Sequence, residues 1–326
     1  MTKILTGPHL GPSCNPVGPM RKLWPSSSAM LWDVTWQLGC SPNGLVLTNV
    51  SYGGKQVFFK ASLPILRVQY DAIWKKTGKV VQFIDDLNEQ DSSWIDIYEG
   101  VATNSSSKYF AIDAYYDRGI GNYRIQQRWV FWDDGTIYAR LYSRGEQWPY
   151  NHRHHAYWRF DFDVVTSGDN VVLEGRSDYD RGEGWGGWSA MPIETMSKKI
   201  TIVGENGRVD QTRWAVINQG TRTGYEIVPG ANDGAADDFS RFDVAVQRYH
   251  DTEDLNHMAA TAEDDHVADF TNGEDTFGQD VVVWYVAHLF HDITDKGRDW
   301  HETGPNLNPI RVPLTPVAPP NGSPIL

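Results

Sequence analysis

The sequence predicts an all-β protein, built as a large antiparallel β-sandwich. Segments 44–52, 127–132, 136–142 and 156–164 alternate apolar with polar residues and are rich in aromatic and β-branched side chains, as half-buried strands are. Turn dipeptides such as Asp134-Gly135 separate the segments. So many short strands in a chain of 326 residues favour two sheets packed face to face.

Helices contribute little to this prediction. The best candidate, residues 231–237, is short and acidic. Residues 176–188 are rich in Gly and charge and indicate a long surface loop, a kind of segment that often carries function. One domain is indicated rather than two, because no Pro- or Ser-rich linker interrupts the middle of the chain.

The charge of the chain argues against some classes of partner. It carries 29 basic and 42 acidic side chains, a formal net charge of −13. Such a field repels nucleic acids and anionic membrane surfaces, and it attracts small cations. We therefore expect a small-molecule ligand, with no nucleic acid and no membrane as partner. The most apolar run, residues 281–287, is far too short to span a bilayer.

The N-terminal residues and the cysteines favour a cytoplasmic location. Gly and Pro interrupt the first 16 residues, where a signal peptide needs an unbroken apolar run. Cys14 and Cys40 can form one bridge at most, and we expect free thiols in a reducing compartment.

Two groups of histidines suggest a metal site. His152 and His154 open a predicted strand, and residues i and i+2 of a strand point to the same face, so both imidazoles can reach one ion. Two solvent-facing histidines would be the alternative. His288 and His291 follow the most apolar strand, and one of them can complete a three-histidine site for copper or zinc. The spacing leaves open which of the two points inward.

A series of motifs resembles one enzyme family. Gly121-Asn122-Tyr123, followed by an aromatic strand and Asp-Gly-Thr-Ile at 134–137, resembles the cofactor-bearing stretch of the copper-containing amine oxidases, where that Tyr is converted to topaquinone. Residues 151–164 are similar to the family's His-x-His copper strand and its Arg-Leu-Asp-x-Asp-Val continuation. Further matches in the family's order lie at 43–47, 60–70, 214–218, 224–230, 280–285 and 298–300.

The resemblance implies the domain limits and the assembly. It covers residues 30–312, which would form the catalytic β-sandwich alone, without the small N-terminal domains of many members. Residues 1–29 would then be an N-terminal extension and residues 313–326 a Pro-rich tail. Members of the family pair through their sandwiches, so the resemblance also implies a homodimer.

The resemblance implies a copper and quinone site. His152, His154 and His291 match the family's copper ligands. Tyr123, which follows Asn122, matches the precursor of topaquinone.

Two further roles follow from the same resemblance. Tyr70 matches the Tyr that hydrogen-bonds the quinone oxygen. The family's catalytic base is an Asp in a Phe-Asp-x-Gly-Glu context, and residues 83–89 offer Asp85 or Asp86 but lack the Gly. Burial would raise the pKa of such a carboxyl, as a base that takes an α-proton from a bound amine requires.

A structural calcium site is also implied. Asp161, Asp163 and Asp280, with the carbonyl oxygen of Phe162, match its ligands, and hard oxygen donors suit calcium. The alternative is a hydrogen-bonded pair of aspartates on a strand.

Three positions depart from the family pattern. Gly119 stands where the family usually has Thr, Arg124 stands where an acidic residue follows the Tyr, and His288 stands where it has Gly. Arg124 can point away from Tyr123, because neighbours on a strand face opposite sides. His288 could add an imidazole near the metal.

Three functions follow from these residues. The leading one is oxidative deamination of a primary amine by copper, topaquinone and dioxygen, which gives an aldehyde, ammonia and hydrogen peroxide. The second is a mononuclear copper oxidase with an unmodified Tyr123 and a non-amine or biosynthetic substrate, which the departures at Arg124 and His288 favour. The third is an inactive relative that binds a ligand or partner. The three candidate histidines argue against the third, since an inactive fold has no structural need for them.

Overall fold

The predicted all-β sandwich is confirmed. A computed structural model of the chain describes residues 17–38, 44–85, 87, 93–116, 123–176, 188–203, 209–253 and 260–311. These residues form two large antiparallel sheets.

The strands carry the fold, and helical structure in the described residues is limited to short 3₁₀ turns. The strands are β1 (Val17–Trp24), β2 (Trp32–Leu38), β3 (Leu45–Tyr52), β4 (Lys55–Ile73), β5 (Val80–Asp85), β6 (Ser93–Val101), β7 (Lys108–Tyr116), β8 (Arg124–Trp132), β9 (Ile137–Arg144), β10 (His152–Phe162), β11 (Asn170–Arg176), β12 (Ser189–Ala190), β13 (Thr195–Ser197), β14 (Thr201–Val203), β15 (Val209–Asn218), β16 (Thr223–Val228), β17 (Val244–Arg248), β18 (Val281–His291), β19 (His301–Thr303) and β20 (Asn306–Arg311). The 3₁₀ helices are Asp251–Glu253, Val267–Phe270 and Ile293–Asp295.

The first sheet has the strand order β1-β2-β3-β4-β10-β18-β17-β13, and β5 also pairs with β4. The second has the order β12-β11-β15-β16-β20-β9-β8-β7-β6, and β14 and β19 pair with β15 and β9. The first sheet thus includes residues that precede position 30.

The two sheets bury a shared aromatic core. Trp129 on β8 and Trp158 on β10 are both fully buried, and their rings meet edge to face with centroids 5.3 Å apart. Aromatic pairs prefer this geometry, which adds about 0.5–1.5 kcal/mol to the gain from burial. The contact joins the second sheet to the first along the strand that begins with His152.

The centre of the first sheet sets the position of the candidate site. Strand β10 lies between β4 and β18, and His152 pairs in register with Tyr70 on one side and His291 on the other. Directly paired residues of antiparallel strands project their side chains to the same face. The three side chains therefore form a row across three adjacent strands.

The helix considered for residues 231–237 is wrong. The segment forms a turn and then irregular backbone. The Asp233 carboxylate accepts from the backbone N–H of Gly230 at 2.7 Å and from the Tyr285 hydroxyl, and Gly234 has a φ of 58°. A side chain that binds nearby backbone competes with helix formation, and the left-handed glycine stops it.

Several sequence-based predictions fall outside the described residues. They concern Cys14, Cys40, loop residues 177–187 and the tail 313–326. In the described part of the chain, no helix has the length and apolar character needed to cross a membrane.

Candidate metal centre

Three buried imidazoles meet at one end of the sandwich. His152 and His154 come from the start of β10, and His291 is the last residue of β18. The ring centroid of His152 lies 5.0 Å from that of His154 and 4.6 Å from that of His291. One ligand atom from each residue lies within 4.8 Å of the other two, so the cluster could hold one metal ion.

Strand alternation separates these imidazoles from two others. His155 and His288 lie on the opposite face of the sheet, where their Nδ1 atoms are 2.8 Å apart and His288 Nε2 is 3.4 Å from an oxygen of Asp243. The sequence spacing left open whether His288 or His291 points inward. In the structure the side chain of His291, not that of His288, lies in the cluster. His288 adds no imidazole to it.

Hydrogen bonds determine the tautomer of His152. Its Nδ1 is 3.1 Å from the carbonyl oxygen of Tyr150, which can only accept, so Nδ1 carries the proton. Nε2 therefore carries the lone pair of the ring, and it accepts a hydrogen bond from the Tyr123 hydroxyl at 2.9 Å. A backbone partner that holds the far nitrogen in this way is typical of metal-binding histidines.

Burial keeps the cluster neutral. It lowers the pKa of His152 to about 4 and the pKa of His154 well below its usual value, and the neighbouring imidazoles add to the effect. Burial also lowers the pKa of His291, and the neighbouring His301 imidazole lowers it further. Neutral imidazoles offer lone pairs at neutral pH, the form in which histidine binds a metal.

The cluster also contains buried nitrogen atoms that lack a hydrogen-bond partner among the described residues. They are Nδ1 of His154 and both ring nitrogens of His291. An unsatisfied buried polar atom costs about 1–3 kcal/mol, and a bound ion would remove that cost at each nitrogen that it binds. Three neutral imidazoles form a donor set that suits copper, and the residues present therefore fit it.

Tyr123 reaches the cluster from the opposite sheet. It lies directly before β8, is 1% exposed, and its hydroxyl is 2.5 Å from that of Tyr70. Because the Tyr123 proton is directed to His152, the Tyr70 hydroxyl is the donor in that pair. Burial raises the pKa of Tyr70 to about 12, and it also raises the pKa of Tyr123 above its usual value.

Asp85 borders the same site. It ends β5, and one of its carboxylate oxygens is 3.9 Å from Nδ1 of His154. Phe83 on the same strand packs against Tyr70 at 5.9 Å between ring centroids, so an aromatic wall adjoins the two tyrosines. The other candidate base, Asp86, and the residue before Tyr123, Asn122, lie outside the described residues.

Arg124 does not face the cluster. It is exposed, whereas Tyr123 before it and Ile125 after it are buried. The alternation of side chains along the strand therefore directs this cation away from the imidazoles. Gly119, the other departure near Tyr123, lies outside the described residues.

A separate group of carboxylates lies farther along the same strands. Asp161, Asp163 and Asp280 have ligand oxygens within 4.8 Å of one another. Burial raises the pKa of Asp161 to about 7 and those of the other two to about 6. Arg159 approaches Asp161 at 3.5 Å. The Phe162 ring packs on Phe58 in the core, with centroids 4.9 Å apart.

Two residues next to the three-histidine cluster were not predicted from the sequence. The His301 ring centroid lies 4.0 Å from that of His291, and the Asp295 carboxylate has one oxygen near a nitrogen of each ring. The spacing of Asp295 four residues after His291 was a weak signal. His301 comes from β19, which pairs with β9 in the second sheet, so only the fold brings it to His291.

Solved structures of amine oxidases share this fold. The Aspergillus nidulans amine oxidase matches with a TM-score of 0.66 and 18% identity, over 86% of this chain and 50% of that one. The copper-containing benzylamine oxidase from Hansenula polymorpha matches with a TM-score of 0.59 and 13% identity, over 90% and 61%. The lysyl oxidase of Pichia pastoris matches with a TM-score of 0.57 and 14% identity, over 86% and 51%.

The likeness confirms the predicted amine oxidase-like sandwich as a fold. The chain spans only 50% to 61% of the length of these three proteins. No protein-family model and no curated protein matches the sequence.

The three imidazoles predict the effect of single substitutions on copper binding. His152→Ala, His154→Ala and His291→Ala should each lose the copper that survives gel filtration with a chelator, because three donors are needed for tight binding. Metal analysis of the purified protein checks the outcome.

His155→Ala is the matched control, since it removes an equally buried imidazole from the same strand on the other face. It should keep one copper ion per chain. Full copper in the His152→Ala variant would contradict the ligand assignment.

Proposed function

We propose that the protein is a copper-dependent oxidase that converts a primary amine to an aldehyde, with release of ammonia and hydrogen peroxide. The observation that carries the proposal is the position of the Tyr123 hydroxyl, 2.9 Å from Nε2 of His152 and beside three neutral imidazoles. A metal held by His152, His154 and His291 would have this phenol next to it. Copper and a quinone formed from Tyr123 would supply the two-electron oxidation of the amine and the reduction of dioxygen.

The residues around Tyr123 support this role by holding its oxygen. Tyr70 donates a hydrogen bond to the hydroxyl oxygen at 2.5 Å. Its ring also stacks on His152, with centroids 4.8 Å apart, so the oxygen, the donor and the imidazole form one packed unit. Such packing fixes the orientation of a reactive ring before the substrate binds.

Asp85 is our candidate for the base that takes the α-proton of the substrate. Its side chain is 11% exposed, and one of its carboxylate oxygens lies 3.9 Å from Nδ1 of His154. A carboxylate with limited access to water is a stronger base than one in bulk solvent. The negative charge beside the site, and the net charge of −13, favour a cationic amine as ligand.

The two alternative functions predict different properties of the pure protein. A mononuclear copper oxidase would bind copper and keep an unmodified Tyr123, and an inactive relative would bind no copper. The residues that had favoured the mononuclear oxidase were Arg124 and His288. Since Arg124 is exposed and His288 lies on the other face of the sheet, neither residue now favours it over the amine oxidase.

The quinone proposal predicts a visible spectrum. Protein loaded with copper in air should develop a broad visible band and react with phenylhydrazine, because Tyr123 lies at the metal ligands. Tyr123→Phe should show neither property and should keep its copper. Absorbance before and after phenylhydrazine measures both.

Arg124→Gln is the control for this experiment, and it should behave as the wild-type protein because the side chain is exposed. If the wild-type protein binds copper but develops no visible band, the quinone proposal is rejected and the mononuclear oxidase is favoured. A protein that takes up no copper would reject both enzymatic functions.

The base proposal predicts a selective loss of turnover. Asp85→Asn should lower kcat with an amine by about 10²–10⁴, the usual contribution of a general base. Its copper content and phenylhydrazine reaction should stay unchanged, because the amide keeps the shape of the side chain. Hydrogen peroxide production measures kcat.

Asp71→Asn, an exposed carboxylate on the neighbouring strand, is the control and should keep full turnover. Full turnover in Asp85→Asn with loss of turnover in Asp86→Asn would transfer the role to Asp86.

We further propose that Asp161, Asp163 and Asp280, with the Phe162 carbonyl oxygen, bind a calcium ion, and that the protein forms a homodimer. Buried oxygens of Asp163 and Asp280 have no hydrogen-bond partner among the described residues, which supports a cation at this position. Light scattering on the purified protein tests the homodimer.

The calcium proposal predicts stabilisation by the ion. Added Ca²⁺ at one hundred times its Kd should stabilise the chelator-treated protein by about 2.7 kcal/mol, seen as a rise in Tm. Asp163→Asn should remove the rise, whereas Asp251→Asn, an exposed acid in a 3₁₀ helix, should keep it. An equal rise in both variants would mean that calcium binds elsewhere.

A further inference from the structure

A second group of metal-binding side chains adjoins the three imidazoles. It consists of His291, Asp295 and His301, and its ligand atoms also lie within 4.8 Å of one another. Asp295 ends the 3₁₀ helix Ile293–Asp295, and His301 begins β19. The two groups share only His291.

The distances in this group are close to those between ligands of one ion. Nε2 of His301 forms a hydrogen bond of 2.8 Å with one oxygen of Asp295, and Nε2 of His291 is 3.6 Å from the other oxygen. Ligands bound tetrahedrally at 2.0–2.1 Å are separated from each other by about 3.3 Å. The observed distances lie on either side of that value, so small side-chain rotations would complete the set.

His291 supplies a second, independent observation. Its side chain is 1% exposed, and neither ring nitrogen has a hydrogen-bond partner in the described part of the chain. The 3.6 Å separation from Asp295 exceeds hydrogen-bond distance. The ring is thus a buried donor group that faces the Asp295–His301 pair on one side and His152 on the other.

The Asp295–His301 pair is more exposed to solvent than the three-histidine cluster. The side chain of His301 is 24% exposed and that of Asp295 is 11% exposed, whereas those of His291 and His154 are 1% and 0% exposed. An ion that arrives from water can therefore reach His301 and Asp295 before it reaches the three-histidine cluster. The carboxylate supplies a negative charge that the neutral cluster lacks, which favours capture of a cation.

We propose that His291, Asp295 and His301 form a second, outer position for a divalent transition-metal ion, through which copper reaches the three-histidine position. A neutral imidazole has one lone pair on nitrogen, so His291 binds one ion at a time and the two positions fill alternately. Rotation of the His291 ring transfers the ion inward. The proposal rests on the proposed function only in that both positions take the same ion.

The test removes the inner position and titrates the outer one. The double variant His152→Ala/His154→Ala, checked for its fold by circular dichroism, is titrated with Cu²⁺ in a calorimeter and by electron paramagnetic resonance. We expect one weakly bound ion per chain, with mixed nitrogen and oxygen ligands, which chelator gel filtration removes. Adding His301→Ala should weaken this binding at least tenfold.

No binding to the double variant would overturn the proposal, because Asp295 and His301 would then only orient His291. Binding that His301→Ala leaves unchanged would overturn it as well. Failure of the proposed function is a separate result, since it would appear as the absence of tightly held copper in the unmodified protein, whatever the double variant binds.

A second measurement leaves the inner ligands intact. The rate of Cu²⁺ uptake by the metal-free protein should fall about tenfold in His301→Gln, with the final content still one ion per chain. His266→Gln is the matched control, because His266 also pairs with an aspartate at 2.8 Å but lies on the surface elsewhere. Equal uptake rates in the two variants would overturn the role of the outer position in loading.

Discussion

The register of three adjacent strands is the constraint on which the candidate site depends. Tyr70, His152 and His291 are direct partners across β4, β10 and β18, so they share one face of the sheet. A slip of one residue in either pairing would turn the partner's side chain to the opposite face. The long pairing of β10 with β18, continuous from His152 to Phe162, holds the register in place.

The second sheet completes the site by bringing a phenol against this row. Packing of Trp129 on Trp158 joins the strand that follows Tyr123 to the strand that carries the imidazoles. The phenol then lies in an environment with little water, where hydrogen bonds to Tyr70 and His152 replace those to solvent. Burial thus has two effects: it keeps the imidazoles neutral and it leaves nitrogen atoms that a metal ion can satisfy.

The same pairing creates a second chemical environment on the opposite face of the first sheet. His155 and His288 are also direct partners, one face away from the metal cluster, and they bond to each other and approach Asp243. Five histidines on two strands are therefore divided by strand alternation into three candidate ligands and two that pair with each other. The proposed outer metal position adds an imidazole from a third strand, that of His301, on the same side of the sheet as the three-histidine cluster.

Local sequence patterns predict the fold class and two members of the three-histidine cluster. Period-two alternation predicts strands, and an i, i+2 spacing brings His152 and His154 to one face, because both properties are local. The sequence could not determine whether His288 or His291 joins them, since that depends on the register of β18 against β10. Nor could it find His301, because the contact with His291 joins strands of different sheets. Contacts between residues that are distant in the chain exist only once the sheets have packed, so the sequence pattern could not predict them.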